Sequence, residues 1–464
     1  MRLSGRAWIP SILVCAGLLV LVQWRLQHHH VRAVVDQGPA PAPSGLEEGL
    51  DDAGAPDRDT FAAEMALAAN AAVPGLSARY VDDGFLLEWQ KGDSHGEYFL
   101  EGPYREYAKL PSASRAEYLR RRARTVPGPE LPASLAEARP RIVAVVRERI
   151  GVEVARIYAA PDPLVSLPPE PPHVAVTDEL WGLLAYETED QFVRLDAAAL
   201  GRWGVSFADL WPEAVTKLAA RAPTSTRESG GLHELRFDDE NESARLLVPA
   251  TFASLPLQGD PVVASPRQDL LIVAGADDEE GLHALFERLR TEWDDGAQSL
   301  RVVRLQGGHV VPFDLEPSHP LHAELRDLQD TADQRDARLE GEALAARLDD
   351  AGDAPFVASV KRFSNVDGDE EVSFVVQTEG VPTLLPRADF VVFRGVDVEK
   401  KTATTLACAP WAKAIATMRE RWKVLPLSPQ RWLATDLPTK QELQRLGCPH
   451  PALRMGLGRA VSYE

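Results

Sequence analysis

Residues 259–275 read GDPVVASPRQDLLIVAG. Two apolar runs, 261–264 and 269–274, are separated by a short polar step and bounded by glycine. The second run is continuous rather than alternating, as a strand covered on both faces is. Moving toward the C-terminus, 279–293 spaces its apolar residues as an amphipathic helix, and 300–305 and 309–313 flank Gly307-Gly308 as a hairpin. Moving toward the N-terminus, 241–247 reads as a short helix and 232–237 as a strand. Residues 207–220 and 196–203 read as helices, and 191–195, 181–186 and 173–177 as strands. Residues 161–172 form a proline-rich loop, because proline lacks the donor a central strand needs. Short strands joined by tight turns, with helices set between them, define an α+β class with largely antiparallel sheets.

Further out, 61–72 reads as a helix, and 78–80, 85–89 and 97–100 as strands, the first two joined at Asp82-Asp83-Gly84. Residues 104–122 read as one helix. Ile142, Val145, Val146 and Ile150 assign 130–150 to another, with 154–159 as a strand. Residues 319–353 are strongly charged and read as a solvated helical connector. Beyond it, 356–363 and 371–378 flank a hairpin turn, 389–394 is a strand, and 411–422 and 440–446 are helices. The expected units are 59–150, 151–318, the connector 319–353, and 354–464.

The N-terminus has a different character. Residues 7–24 read AWIPSILVCAGLLVLVQW and carry no charge. As a helix this segment would span about 27 Å, close to the hydrocarbon thickness of a bilayer. Trp8 and Trp24 stand near its ends, where indoles prefer the interface. We expect residues 1–32 to be a membrane anchor, with a cleaved signal peptide and a buried soluble helix as alternatives. Residues 33–58, rich in Pro, Ala, Gly and acid, are expected to be a flexible tether. The expected fold class is thus an N-terminal transmembrane helix followed by mixed α/β units with largely antiparallel sheets. The expected location is a bacterial inner membrane with the body in the periplasm, or alternatively on the cytoplasmic face.

The chain has 464 residues with 50 Lys+Arg against 70 Asp+Glu, a formal charge of −20. That balance excludes nucleic acid as a partner, since a phosphate backbone needs a basic footprint. Arg120, Arg121, Arg122 and Arg124 cluster at a helix end and are explained as a solvated terminus. Three cysteines occur, Cys15, Cys408 and Cys448, with no CxxC. Cys408 and Cys448 pair if the body faces an oxidising compartment, and otherwise remain buried thiols.

No P-loop, HExxH, GxSxG or SxxK occurs. No cofactor and no metal site is expected. His28–His30 read as a polar interfacial flank. His319 and His322 lie in a proline-broken stretch, and Asn365, Asp367 and Asp369 in a hairpin turn that lacks the Gly and Glu of a calcium loop. The remaining candidate ligand-binding set is Asp178, Arg194, Arg245, Arg267 and Asp269. Arginines beside carboxylates bind anions bidentately, and they also form structural ion pairs. Tyr186, Trp203 and Trp211 read as core.

Several stretches between about 78 and 315 occur in an order that resembles the YtpQ-like bacterial family of unknown function. They are VDDGFLLEWQ, VARIYAAPD, HVAVTDELWGLLAYETEDQFVRLDAAALGRWGVSFADLWPEAVTKL, ENESARLL, GDPVVASPRQDLLIVAG and RVVRLQGGHVVPFDL. Arg245 after Ser243-Ala244 fits that family's small-small-Arg step, and Pro266 with Asp269 its Pro-x-x-Asp step. Lys217 departs from it, where the family often has Asn. The resemblance implies an α+β fold and no particular chemistry. The expectation is a membrane-anchored, non-catalytic module of the bacterial envelope that binds a partner protein or polymer. The alternative is an enzyme using the Asp/Arg set, which requires Arg194, Arg245 and Asp269 to converge on a pocket.

Overall fold

The computed structural model describes residues 57–464, except 82–84, 93, 128–130, 189–191, 295–298, 349–353, 365–370, 398–399, 401, 451–452, 454–459 and 463–464. Helix α1 (Arg58–Ala72) opens on Asp57, whose carboxylate accepts from the Thr60 amide. It packs on an antiparallel sheet of β1 (Leu76–Val81), β2 (Leu86–Lys91) and β3 (Ser94–Phe99). Asn70 fixes that approach by bonding both the amide and the carbonyl of Ala78. Residues 104–122, expected as one helix, are split into α2 (Glu101–Ala108) and α3 (Ser112–Ala123). Pro111 is the cause: it has no N–H to continue the first helix and sits well just before the second.

The reading of 130–159 is corrected. After a single helical turn, Leu135–Ala138, the chain forms strand β4 (Ile142–Glu148) and then helix α4 (Arg149–Ala159). β4 pairs along its whole length with β6 (Leu180–Glu187), from Ile142 opposite Tyr186 to Glu148 opposite Leu180. On the other edge of β6 lie β5 (Val174–Ala175) and β7 (Phe192–Arg194). The pairing crosses residue 150, where one expected unit was to end.

One face of this small sheet carries Ile142, Ala144, Leu184 and Tyr186. It is covered by α5 (Ala197–Arg202) and α6 (Phe207–Ala219) through Leu200, Leu210 and Leu218. Trp203 and Trp211 pack there too, as expected of core residues. The opposite face carries Val143, Val145, Leu183 and Ala185.

The quoted stretch lies at the centre of a second, six-stranded antiparallel sheet. Beside β8 (Ser225–Ser229) and β9 (Leu232–Arg236) come β10 (Pro261–Arg267) and β11 (Leu270–Gly275). β12 (Val302–Gln306) and β13 (His309–Pro312) complete it, in the order β13-β12-β10-β11-β9-β8. Alternate residues divide between two cores, as a period of two requires. Val262, Ala264, Ile272 and Ala274 meet Leu282, Phe286 and Leu289 of α7 (Glu279–Asp294) and Leu325 and Leu328 of α8 (His322–Leu348). Val263, Leu271, Val273 and Val303 meet Val146, Leu180 and Leu246.

The C-terminal unit holds two sheets, β14 (Phe356–Val357), β17 (Thr383–Pro386), β21 (Arg431–Ala434) and β20 (Trp422–Val424) in one. The other has β15 (Lys361–Ser364), β16 (Glu371–Thr378), β18 (Phe390–Asp397), β19 (Thr402–Pro410) and β22 (Ala460–Ser462). The pairs β14–β17 and β16–β18 are parallel and the rest antiparallel. Helices α9 (Trp411–Met418) and α10 (Lys440–Leu446) close it. Cys408 on β19 and Cys448, two residues after α10, are joined as a disulfide.

Two expectations are overturned. No helix among the described residues is long and apolar enough to cross a membrane, so the transmembrane fold class is corrected to mixed helix and largely antiparallel sheet. The physical reason is visible in α8, whose 27 residues carry acidic and basic side chains along their length. Segment 7–24 lies outside the described residues, as do His28–His30, the tether to residue 56, and the turn at 365–370. The second correction concerns 319–353. α8 is a strut with one buried stripe, which includes Leu325, Leu328, Ala332, Ala343 and Leu344 and also Asp336 and Glu340.

Candidate ligand-binding cleft

Between the face of the small sheet that carries Val145, Leu183 and Ala185 and one end of the six-stranded sheet lies a cleft of about 390 Å³. The strand period builds its floor. Val145 and Arg147 of β4, Leu183 and Ala185 of β6, and Phe192 and Arg194 of β7 all fall on the same face, because Ala185 stands opposite both Val143 and Arg194. The first turn of α4 adds Gly151 and Val152. The opposite wall comes from a bulge in β10 between Ala264 and Arg267, where the register slips. Ser265 Oγ lies 2.8 Å from the Arg267 carbonyl oxygen and 3.0 Å from that of Leu270. The bulge turns Pro266, Arg267 and Gln268 into the cleft. Arg301 and Arg335 complete the lining.

Five arginines therefore face an apolar floor in an acidic protein. Three are neutralised. Arg267 is paired with Asp269 at 3.2 Å and with Glu292. Arg301 donates to Asp333 and Asp336, each at 2.7 Å. Arg335 is bonded to Glu148. The other two have no such partner: among the described residues no carboxylate is within ion-pair distance of Arg147 or Arg194. Arg147 reaches across the cleft to the side-chain oxygen of Gln268 and to the Val146 carbonyl, its guanidinium 5.9 Å from the Phe192 ring. Burial with no compensating charge pushes Arg147 down to about 10, so it stays charged at neutral pH. Arg194 is exposed at the rim, and burial lowers it as well, against a weaker pull from Asp196.

Behind this wall, Asp336 is pushed up to about 6, first by burial and then by the charge of Glu148, while Arg301 and Arg335 oppose the shift. Arg301 is raised despite its own burial, by Asp336 and Asp333, as ion pairing requires. For Asp336 the upward direction holds, because its Oδ1 is buried without a hydrogen bond. A folded-state value above the unfolded one means the folded protein holds the extra proton. The stabilisation is then complete below about pH 4 and is lost as pH rises through about 6. We expect the unfolding free energy of wild type, relative to Asp336→Asn, to fall by about 2–3 kcal/mol from pH 4 to pH 7. Denaturant titration at both pH values measures it; a difference that stays flat or rises contradicts the assignment.

Of the residues singled out in the sequence, Arg194 and Arg267 line the cleft and the others do not. Asp269 lies beside Arg267 and also near Arg236, at 3.8 Å. Arg245 is wholly buried, bonded to Asp239 at 2.8 Å with its guanidinium 4.0 Å from the Phe237 ring. Asp178 is exposed in the turn before β6. Arg194, Arg245 and Asp269 therefore do not converge. Arg147, Arg301 and Arg335 were missed. Arg147 had a signal, since it follows Val143 and Val145 at strand spacing once 142–148 is read as a strand. The pairing of the other two depends on residues far away in sequence. His319 Nδ1 accepts from the Leu321 amide at 3.1 Å, and among the described residues no cluster of three His, Cys, Asp or Glu side chains is placed to hold a metal ion.

No family model, no curated protein and no solved structure matches this chain.

Proposed function

We propose that this protein is a non-catalytic binding module and that the cleft between its two central sheets is where it takes a small organic ligand. The observation that carries this reading is the cleft itself, which has apolar side chains of both central sheets at its base and arginines around it. Val145, Leu183 and Ala185, packed with Val152 and Trp181 in one buried apolar cluster, form the base of the cleft, and Val263 and Val303 of the six-stranded sheet face it. A concave apolar floor with a few polar groups around it is the usual form of a small-molecule site. The Cys408–Cys448 bond supports a body that works in an oxidising compartment such as the bacterial envelope.

The neutral fluorescent probe N-phenyl-1-naphthylamine tests the reading. We expect saturable binding with one site per chain. Gly151 lines the cleft, and a Cβ there would meet nothing within 4 Å, so Gly151→Trp is expected to fold and to place its bulk at the mouth. That variant should lose the signal. Absence of saturable binding, or equal binding by Gly151→Trp, overturns the proposal.

A further inference from the structure

Three features of the molecule invite a ligand, and only one withstands scrutiny. The hollow lined by Asp277, Asp314 and Glu316 contains, among the described residues, no buried side-chain atom left without a partner. The buried polar knot of Asn241, Glu242 and Arg245 is closed to solvent. The arginine-rimmed cleft remains, and its charge distribution says what it takes.

We infer that the ligand of this cleft is an organic anion, a carboxylate, sulfonate or phosphate carried on an apolar body, whose charged group meets Arg147 and Arg194. This rests on the cleft being the binding site. Three independent observations support the anionic part. First, Arg147 and Arg194 are the two cleft cations without a carboxylate partner, although the chain carries 20 more acidic than basic residues and supplies partners to the other three. For Arg147, desolvated without a counter-charge, that is costly, and an incoming anion relieves the cost. Second, Arg301 Nε is buried in the same wall with no hydrogen-bond partner, and so is Ser243 Oγ, on a residue only 7% exposed. Both belong to residues that line the cleft, so its wall holds polar groups that the protein itself leaves unmatched. Third, the first turn of α4 lines the cleft, and a helix N-terminus favours negative charge, a preference its N-cap Glu148 meets in part while paired with Arg335.

The apolar part follows from the floor. Phe192 neighbours both unpaired arginines: the Arg147 guanidinium is 5.9 Å from its ring, and Arg194 is the next residue on the same face of β7. Beyond it run Ala185, Leu183 and Val145. An anion carrying an aromatic or aliphatic body covers this surface while its head meets the arginines. A bare inorganic anion leaves the floor open, and a neutral hydrocarbon leaves the two cations uncompensated.

A pair of probes with one carbon skeleton separates these terms. N-phenyl-1-naphthylamine is neutral, and 8-anilinonaphthalene-1-sulfonate adds the sulfonate. With the full chain at low salt, the sulfonate is expected to bind about tenfold or more tightly than the neutral probe, and to weaken as salt rises. Arg147→Gln combined with Arg194→Gln should weaken the sulfonate about tenfold or more while leaving the neutral probe within about twofold. Retained binding of the neutral probe reports that the double variant is folded. Arg194→Gln alone, at an exposed rim position, supplies a second reading of the same sign. Equal affinity for the two probes, or a double variant that binds the sulfonate like wild type, overturns the anion inference while leaving the cleft as a site. If neither probe binds the wild-type chain, the proposed function itself falls and takes this inference with it.

Discussion

Glu340→Ala is expected to destabilise the protein by about 3–5 kcal/mol, because it leaves the Arg431 guanidinium charged and buried without its counter-ion. Both groups are completely removed from solvent. Arg431 Nε donates to Glu340 at 2.8 Å. Its Nη1 atom donates to the carbonyls of Ala358 at 2.9 Å and Leu384 at 3.1 Å, and Nη2 to that of Ala337 at 2.9 Å. This one side chain therefore ties the middle of α8 to β17 and to the chain after β14. Gly341 gives it room, since a Cβ there would stand 2.8 Å from Nη2. Burial is the largest influence on Glu340 and pushes it up to about 7, with Arg431 opposing. Arg431→Ala should cost a similar amount, and the double variant clearly less than the sum of the two. Equilibrium denaturation of the three variants checks this. Additive losses, or single losses below about 1 kcal/mol, would show that the pair is not the fastening described.

The second large effect concerns the C-terminal unit. Cys408 and Cys448 are 40 residues apart, and removing their bond should cost roughly 3–4 kcal/mol through the entropy returned to the unfolded chain. The bond links β19, where Cys408 stands opposite Val392 of β18, to the chain just after α10, whose capping box at Thr439 and Glu442 fixes its other terminus. The double replacement Cys408→Ala/Cys448→Ala, and reductant on the wild-type protein, should lower the denaturation midpoint of this unit alike. Thiol counting on denatured, unreduced protein should find neither cysteine reactive. Two reactive groups beyond Cys15 would contradict the pairing.

What could be read from the sequence follows physical lines. The hairpin of β12 and β13, the helix α7 and the β10–β11 pair were legible, because local turn chemistry and apolar spacing agree there. Residues 142–159 were read with helix and strand exchanged. Ile142, Val145 and Val146 are spaced as on a helix, yet Val143 and Ala144 between them are buried as well. In a strand covered on both faces periodicity carries no information, and only the partner strand decides. That exchange concealed Arg147, and with it half of the cleft's unpaired charge. In 319–353 the spacing was present in Leu325, Leu328 and Ala332, but Asp336 and Glu340 continue the stripe with residue types that look solvated. They are buried because Arg301, Arg335 and Arg431 meet them, and those partners are known only from the tertiary fold. Among the five candidate site residues the same limit applies. Arg194 and Arg267, at strand ends, reach the cleft, and Arg245, in the short helical segment Glu242–Leu247, does not.

A crystal structure of the full chain grown with 8-anilinonaphthalene-1-sulfonate tests the central claim most directly. The account predicts the naphthalene against Leu183, Ala185 and Phe192, with the sulfonate within hydrogen-bond distance of Arg147 or Arg194. Ordered probe elsewhere on the surface, with the floor between the two sheets left bare, would contradict it.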